Sequence, residues 1–254
     1  MSRAVIIDSS WTSEATAVVL QACEHFGGLA RFRELSKIRL FPERLSGLVP
    51  WLKGVGVTFP LPSLFEISPQ HGAARFVDYP ERGRVGIFER GAVRIEHSEG
   101  GLVIASNAHR DGFRGPAKMR RWSPLDALYF FGYALTHYHS LPFTLLDGRL
   151  IGMKWVGPKS APVSVLSVEL PVELHTHCRR QRFYFDAQGK LLRHDYHAQI
   201  IGLWARGAHF WNRQTRCNGF PIALDRQVMA RVGSLPVPVT ALHATFRGAE
   251  VEYG

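Results

Sequence analysis

The sequence predicts a strand-dominated α+β fold, in which a curved antiparallel sheet carries an N-terminal helix and holds a buried aromatic helix in its concave face. Short stretches that alternate apolar and polar residues fill most of the chain, as in half-buried strands. The links between these stretches are short and rich in Gly and Pro, which favours neighbouring antiparallel strands over a parallel α/β arrangement. Only two segments have a helical pattern.

The first helical segment is "TSEATAVVLQACEHFGG", residues 12–28. Val18, Ala22 and Phe26 recur at helical spacing, and Gly27 with the glycine after it provides a C-terminal stop. From about residue 32 the pattern changes to strands. They are predicted in "LSKIRLF", "SLFEI", "AARFVDY", "RVGIFER", "AVRIEHS" and "LVIAS", and later in "IGMKWVG", "VSVLSVEL", "RQRFYFD", "LLRHDYHAQII", "LWARGAHFW", "FPIALDRQVM" and "VTALHATFRG".

The second helix is predicted between these two runs of strands, in "WSPLDALYFFGYALTHYHSLP" at 122–142. Ser123 is a good N-cap and forms a capping-box pattern with Asp126, and the helix stops before Pro142. It is apolar almost all round, so it must be buried, yet it is too short to cross a bilayer. His137 and His139, two residues apart near its end, are expected as cap partners.

Composition limits the function classes. The chain of 254 residues is 46% hydrophobic and has no linker or repeat, so one domain spanning 1–254 is expected. A net charge of +10 allows acidic partners, but the basic residues are scattered and match no nucleic-acid-binding motif. No specific nucleic-acid partner is therefore expected.

A cytoplasmic location is expected. The three cysteines form neither a disulfide framework nor a C-x-x-C motif. The apolar run at 4–7 is too short for a signal peptide, and no stretch of about 18 apolar residues predicts a membrane span.

The candidate site is a strand hairpin, "RFYFDAQGKLLRHDY" at 182–196, with a glycine-containing loop. The predicted register places Phe183 opposite Leu192 and Arg180 opposite Asp195. Alternation then defines an inner face that combines apolar, aromatic and polar side chains. Its members are His175, His177, Gln181, Phe183, Phe185, Leu192, His194, Tyr196, Ala198 and Ile200, and the next strand adds His209 and Trp211.

Imidazole, phenol and amide groups on an otherwise apolar face are typical of a small-molecule site. Since neutral histidine both accepts and donates protons, His194 and Tyr196 are predicted as an acid/base pair, with His177 as the next candidate. Arg179 is predicted to hold a carboxylate or enolate. The predicted binding residues are Gln181, Phe183, Arg179, His209 and Trp211, with Tyr129 and Tyr133 from the helix. The alternative is that these groups are structural and satisfied within the core.

A metal site is a second alternative. "HTHC" places His175 and His177 on one side of a strand, and a zinc site would recruit His194 or His209 as a further ligand. The sequence has no Gly-x-Ser-x-Gly elbow, dinucleotide fingerprint or phosphate loop, so no cofactor is predicted.

The segment "ACEHFGGLARFRELSKIRLF" resembles the opening of proteins with the lipoprotein-carrier (LolA/LolB-like) fold, which implies a half-barrel sheet. The segments "YFFGYALTHYHSLPF" and "HTHCRRQRFYFDAQGKLLRHDYHAQIIG…AHFW…GFPIALDRQV" resemble a group of uncharacterised bacterial and fungal proteins. The cofactor-free violacein-pathway enzyme VioE is similar in architecture.

The leading hypothesis is a cofactor-independent enzyme that cyclises or isomerises a hydrophobic or polyketide-like molecule, a type of chemistry found in secondary metabolism. The partner is expected to be a hydrophobic small molecule, with an anionic group in the version that uses Arg179, and a homodimer stays open. A non-catalytic carrier of a lipid or other hydrophobic ligand is the alternative. A zinc enzyme using His175 and His177 is the third hypothesis.

Overall fold

The computed structural model describes residues 8–56 and 59–254, and the apolar run at 4–7 lies outside these residues. The helices are α1 Ser13–His25, α2 Gly28–Glu34, α3 Leu48–Lys53 and α4 Pro124–Ser140. The strands are β1 Leu35–Ser46, β2 Leu64–Ser68, β3 Ala73–Val77, β4 Arg84–Glu89, β5 Ala92–His97, β6 Leu102–Ser106, β7 Arg149–Val156, β8 Val163–Glu169, β9 Arg180–Phe185, β10 Leu191–His197, β11 Arg206–Cys217, β12 Phe220–Val232 and β13 Leu235–Tyr253. Short 3₁₀ turns lie at Pro69–His71, His109–Gly112, Gly115–Met119 and Phe143–Leu145.

The strands form one open antiparallel sheet in the order β6-β5-β4-β3-β2-β1-β13-β12-β11-β10-β9-β8-β7. All neighbours in this order are consecutive in sequence except β1 and β13, whose pairing joins two meanders. Helix α4 connects the two outer edges, β6 and β7, and packs against β2–β5. The predicted fold class, a curved antiparallel half-barrel with an N-terminal helix and a buried aromatic helix, is confirmed.

Helix α1 has the predicted position, but the chain does not pass directly into strands. Thr12 caps the helix by accepting a hydrogen bond from the backbone N–H of Ala15. Gly27 adopts a left-handed conformation, with φ of 98°, and ends α1 as predicted. A second short helix, α2, which was not predicted, extends to Glu34, and β1 then starts at Leu35, the first residue of the predicted strand "LSKIRLF".

Helix α4 is buried nearly all round, as its composition predicts. Ser123 and Asp126 form the expected capping box at its start. A Cβ atom at Gly132 would lie 2.4 Å from the Cβ of Phe88 on β4, so only glycine permits this close approach of helix and sheet. Within the described residues, no helix combines the length and apolar character needed to cross a membrane.

The predicted register of the β9–β10 hairpin is wrong. The sheet pairs Phe183 with His194 and Arg182 with Asp195, because the register shifts between Leu191 and Arg193. Leu192 is the extra residue of this β-bulge, and the bulge turns Leu191 into the core. His194 still points inward as predicted. Its partner on β9 is Phe183 and not Gln181, two residues away, and side chains alternate between the two faces of a strand with a period of two.

Candidate small-molecule site

A cavity lies between α4 and the half of the sheet that contains β1, β2, β12 and β13. The empty space between the atoms of this cavity, including its open mouth, is about 810 Å³. The part that the centres of water molecules can reach is about 70 Å³. Its walls are mainly apolar and include Phe65, Phe76, Phe130, Ala134, Val228 and Phe246. Five buried side chains with polar atoms also line it: Tyr79, whose hydroxyl donates to the Pro124 carbonyl, Tyr138, Tyr196, His209 and Arg226.

Tyr138 and Tyr196 of this wall form a continuous tyrosine–histidine network with His177 and Tyr133, which do not line the cavity. The Tyr138 hydroxyl donates to the Tyr196 hydroxyl over 3.2 Å. The Nε2 atom of His177 lies 2.6 Å from the Tyr138 hydroxyl, and its Nδ1 atom lies 2.9 Å from the Tyr133 hydroxyl. With Tyr138 donating onward, His177 carries its proton on Nε2 and accepts from Tyr133. The hydrogen of Tyr196 therefore has no acceptor within this network.

An amide holds two further imidazoles. The side-chain oxygen of Gln181 faces the Nε2 atoms of both His137 and His194, and its NH₂ group donates to the Cys178 carbonyl over 2.6 Å. His194 also stacks on Phe183, with ring centroids 4.7 Å apart. This packing places His194 behind the cavity wall, where it supports the site without lining the cavity.

Burial determines the protonation of the site. Loss of hydration lowers the pKa of His137 to about 4 and lowers the pKa of His177 and His209 well below the usual histidine range. Burial likewise raises the pKa of the Tyr138 and Tyr196 hydroxyls. At neutral pH the imidazoles are therefore uncharged and the phenols protonated, which suits hydrogen bonding to a ligand.

His209 has unused hydrogen-bonding capacity. Its ring is buried on β11, opposite Val228 of β12, and packs at 4.6 Å from the ring of Tyr138. Neither of its ring nitrogens has a hydrogen-bond partner among the described residues. Buried polar atoms of folded proteins are nearly always paired, so these two nitrogens are an exception in the wall of the cavity.

Several predicted residues lie away from the cavity. Arg179 is largely exposed, donates to the Leu170 carbonyl, lies 3.6 Å from the Glu169 carboxylate and does not line this cavity. The Tyr129 hydroxyl bonds to Nδ1 of His175 over 3.0 Å, outside the tyrosine–histidine network. Arg179 is adjacent in sequence to the predicted inner face, but its side chain is 55% exposed.

The other predicted residues do gather around α4. Tyr196 and His209 line the cavity, and Tyr133 and His177 belong to the tyrosine–histidine network. Trp211 stands beside these groups, 5.8 Å from the ring of His209.

The predicted zinc set is not assembled. The described residues contain no group of three His, Cys, Asp or Glu side chains in a metal-binding arrangement. His175 bonds to Tyr129, whereas both nitrogens of His177 bond to tyrosines. The two histidines of "HTHC" thus take part in different hydrogen-bonding groups.

The structure places three further residues of α4 and one of β12 at the site. His137 and His139 are not cap partners, since both are buried and bond to side chains of the sheet. Tyr138, between them, connects His177 to Tyr196. Arg226 was missed although "LDRQV" places an arginine between Leu224 and Val228, on the same face as both, which is a visible signal.

No protein-family model matches the sequence, and no curated protein matches it. Among solved structures, the chain is similar to a LolA superfamily protein from Nitrosomonas europaea, at 9% identity over 94% of this chain and 93% of that chain, with a TM-score of 0.47. It is also similar to a DUF1329 family protein from Desulfovibrio piger, at 12% identity over 96% and 95% of the two chains, with a TM-score of 0.44. The chemistry of the site rests on its own geometry.

Proposed function

We propose that the protein binds a hydrophobic small molecule in the cavity beside α4. The observation that carries this proposal is the buried imidazole of His209, which has two unpaired nitrogens beside apolar walls. A buried polar group without a partner destabilises a fold by about 1–3 kcal/mol, and a ligand that bonds to it recovers this free energy. Tyr196 offers a hydroxyl at the same wall.

The volume of the cavity limits the size of the ligand. The centres of water molecules reach about 70 Å³ of the cavity, and each water needs about 10–15 Å³ of such space. Each of these waters occupies about 30 Å³ in the liquid. The space therefore accepts a molecule of roughly ten non-hydrogen atoms without movement of the walls. A larger ligand requires displacement of wall residues.

Binding is expected for 1-naphthylamine, a neutral fluorophore of about this size. Titration should give a saturable rise in fluorescence, because the dye moves from water to an apolar wall. Ala134→Phe fills the cavity from α4 and should weaken binding at least about tenfold.

Ala105→Phe is the matched control, since Ala105 is exposed on β6. It should leave the titration unchanged. Ala134→Leu, checked by thermal melting, replaces the phenylalanine variant if that variant does not fold. A dye that does not saturate, or that binds equally to the filled variant, contradicts the proposal.

The second candidate function is a cofactor-independent cyclase or isomerase, which the tyrosine–histidine network favours. Tyr196 can donate a proton to one atom of a bound molecule, while the neutral His209 accepts one from another. A molecule held in a reactive shape gains about 7–11 kcal/mol from positioning alone. The low pKa of His209 makes it a weak base, so the carrier function remains the better supported of the two.

Deuterium uptake separates the two functions. Hydrophobic metabolites from the source organism are incubated with the protein in D₂O and followed by chromatography with mass detection. An isomerase adds deuterium to one metabolite, and Tyr196→Phe should slow this uptake by roughly 100-fold or more. Tyr184→Phe, whose hydroxyl bonds to Asp195 away from the cavity, is the control. A metabolite that is bound but carries no deuterium identifies a carrier.

A further inference from the structure

We infer that the bound molecule is a small hydrophobic carboxylic acid and that Arg226 is the residue that recognises its carboxylate. The inference rests on the proposed binding function and adds the class of ligand. Arg226 lines the same cavity as Tyr196 and His209, and only 3% of its surface is exposed.

The guanidinium group of Arg226 is incompletely paired. Its Nη2 atom lies 3.0 Å from Nε2 of His139, and its Nε atom donates to the Ala223 carbonyl over 3.3 Å. His139 uses its other nitrogen on the Leu135 carbonyl, so its Nε2 atom is the acceptor. The Nη1 atom of Arg226 has no partner among the described residues.

No carboxylate neutralises this charge. Within the described residues, Arg226 forms no salt bridge, and the groups that face it are neutral: the ring of Trp211 at 4.5 Å, the ring of Tyr138 at 5.4 Å and the imidazole of His139. Burial lowers the pKa of Arg226 to about 10, and the side chain is therefore still charged at neutral pH. A buried charge without a counter-ion is unfavourable unless an anion joins it.

The chemistry of the anion follows from charge and volume. A carboxylate carries one negative charge and two oxygens, which suit the free edge of one guanidinium. A doubly charged phosphate would need another cation, but the other arginine of the cavity, Arg44, is exposed. The apolar walls accept a hydrocarbon or aromatic body of roughly ten non-hydrogen atoms.

The test compares octanoic acid, 1-octanol and octylamine by titration calorimetry at pH 7.5. The wild-type protein should bind the acid roughly 10–100-fold more tightly than the alcohol, because hydrogen bonds to a charged partner are the stronger ones. Arg226→Met should reduce the affinity for the acid to that for the alcohol. The affinity for the alcohol should stay within about threefold of the wild-type value. Arg226→Lys should keep part of the preference.

Arg180→Met is the matched control, because it removes an exposed arginine of β9 that does not line the cavity and should change neither affinity by more than about threefold. If Arg226→Met does not fold, the wild-type series decides: octylamine, a cation, should bind at least about 100-fold more weakly than the acid. Equal binding of acid and alcohol, or a preference that survives in Arg226→Met, overturns the inference. If no member of the series binds, the proposed function itself fails.

Discussion

Lowering the pH from 7 to 5.5 is expected to reduce the free energy of unfolding by about 6 kcal/mol. Five histidines are buried around α4, and desolvation lowers the pKa of each: His137, His139, His177, His194 and His209. In the unfolded chain their pKa is near 6.5, so over this pH range the unfolded state binds protons that the folded state does not bind. Each such histidine contributes about 1.2 kcal/mol over this range.

The sign follows from the direction of the shifts. A histidine with a depressed folded pKa contributes stability that is present above pH 6.5 and is lost as the pH falls below it. Because domains of this kind are stable by only about 5–15 kcal/mol, unfolding should begin near pH 5. Denaturant titrations between pH 8 and 5.5 measure the slope of stability against pH, which counts the protons taken up on unfolding.

Two variants test the origin of the slope. His209→Phe removes one buried imidazole without cutting a hydrogen bond to a described residue, and it should lower the proton uptake by about one. His97→Gln replaces an exposed histidine and should leave the slope unchanged. A free energy of unfolding that stays constant from pH 7 to 5.5 would show that water reaches these imidazoles.

Asp126→Ala is expected to destabilise the protein by about 3 kcal/mol. The buried carboxylate accepts hydrogen bonds from the Ser123 backbone and hydroxyl, from Arg120 at 2.5 and 2.9 Å, and it contacts His109 at 2.9 Å. Loss of the capping box accounts for about 1 kcal/mol, and the unpaired partners account for the rest. Arg120 is half exposed, so its ion pair with Asp126 is assigned a contribution at the low end of the range for ion pairs.

Chemical denaturation at pH 7 measures this loss. Asp111→Ala serves as control, because its ion pair with Arg114 is exposed and should contribute at most about 0.5 kcal/mol. Burial alone would raise the pKa of Asp126, but its hydrogen bonds outweigh burial and lower it to about 2. Its charge therefore stabilises the fold above pH 4 and loses this effect toward pH 2, below the histidine range. An Asp126→Ala protein as stable as the control would contradict the role of the carboxylate.

Local patterns predicted most of the elements. Helix α4 follows from the capping box at Ser123 and from the composition of the segment, both of which lie within one element. The strands follow from alternation, which depends on nothing beyond the strand itself. The bulge beside Leu192 was not predictable in this way, because the packing of Leu191 in the core decides between registers that turn chemistry alone allows.

The site was predicted in part for the same reason. Alternation along β10 and β11 placed Tyr196 and His209 on the inner face, but no local pattern shows which side chain of α4 they meet. Tyr138 joins them through tertiary packing of α4 against the sheet. Arg226 reaches the cavity because β12 pairs with β11 and puts it opposite Trp211, whereas Arg179 was chosen by closeness in sequence. The predicted catalytic roles of His194, Tyr196 and His177, the homodimer and the cytoplasmic location stay predictions.

Four protons are shared out along Tyr133, His177, Tyr138 and Tyr196, and each hydrogen bond fixes the direction of the next. Two continuous orders connect the four side chains, and they differ in which nitrogen of His177 is protonated. A ligand that accepts the hydrogen of Tyr196 leaves the present order unchanged, and so does a ligand that donates to Tyr196, because the hydroxyl oxygen has a second lone pair. A ligand that accepts a hydrogen bond therefore uses the one hydrogen that the network leaves without an acceptor, whereas a ligand that only donates does not.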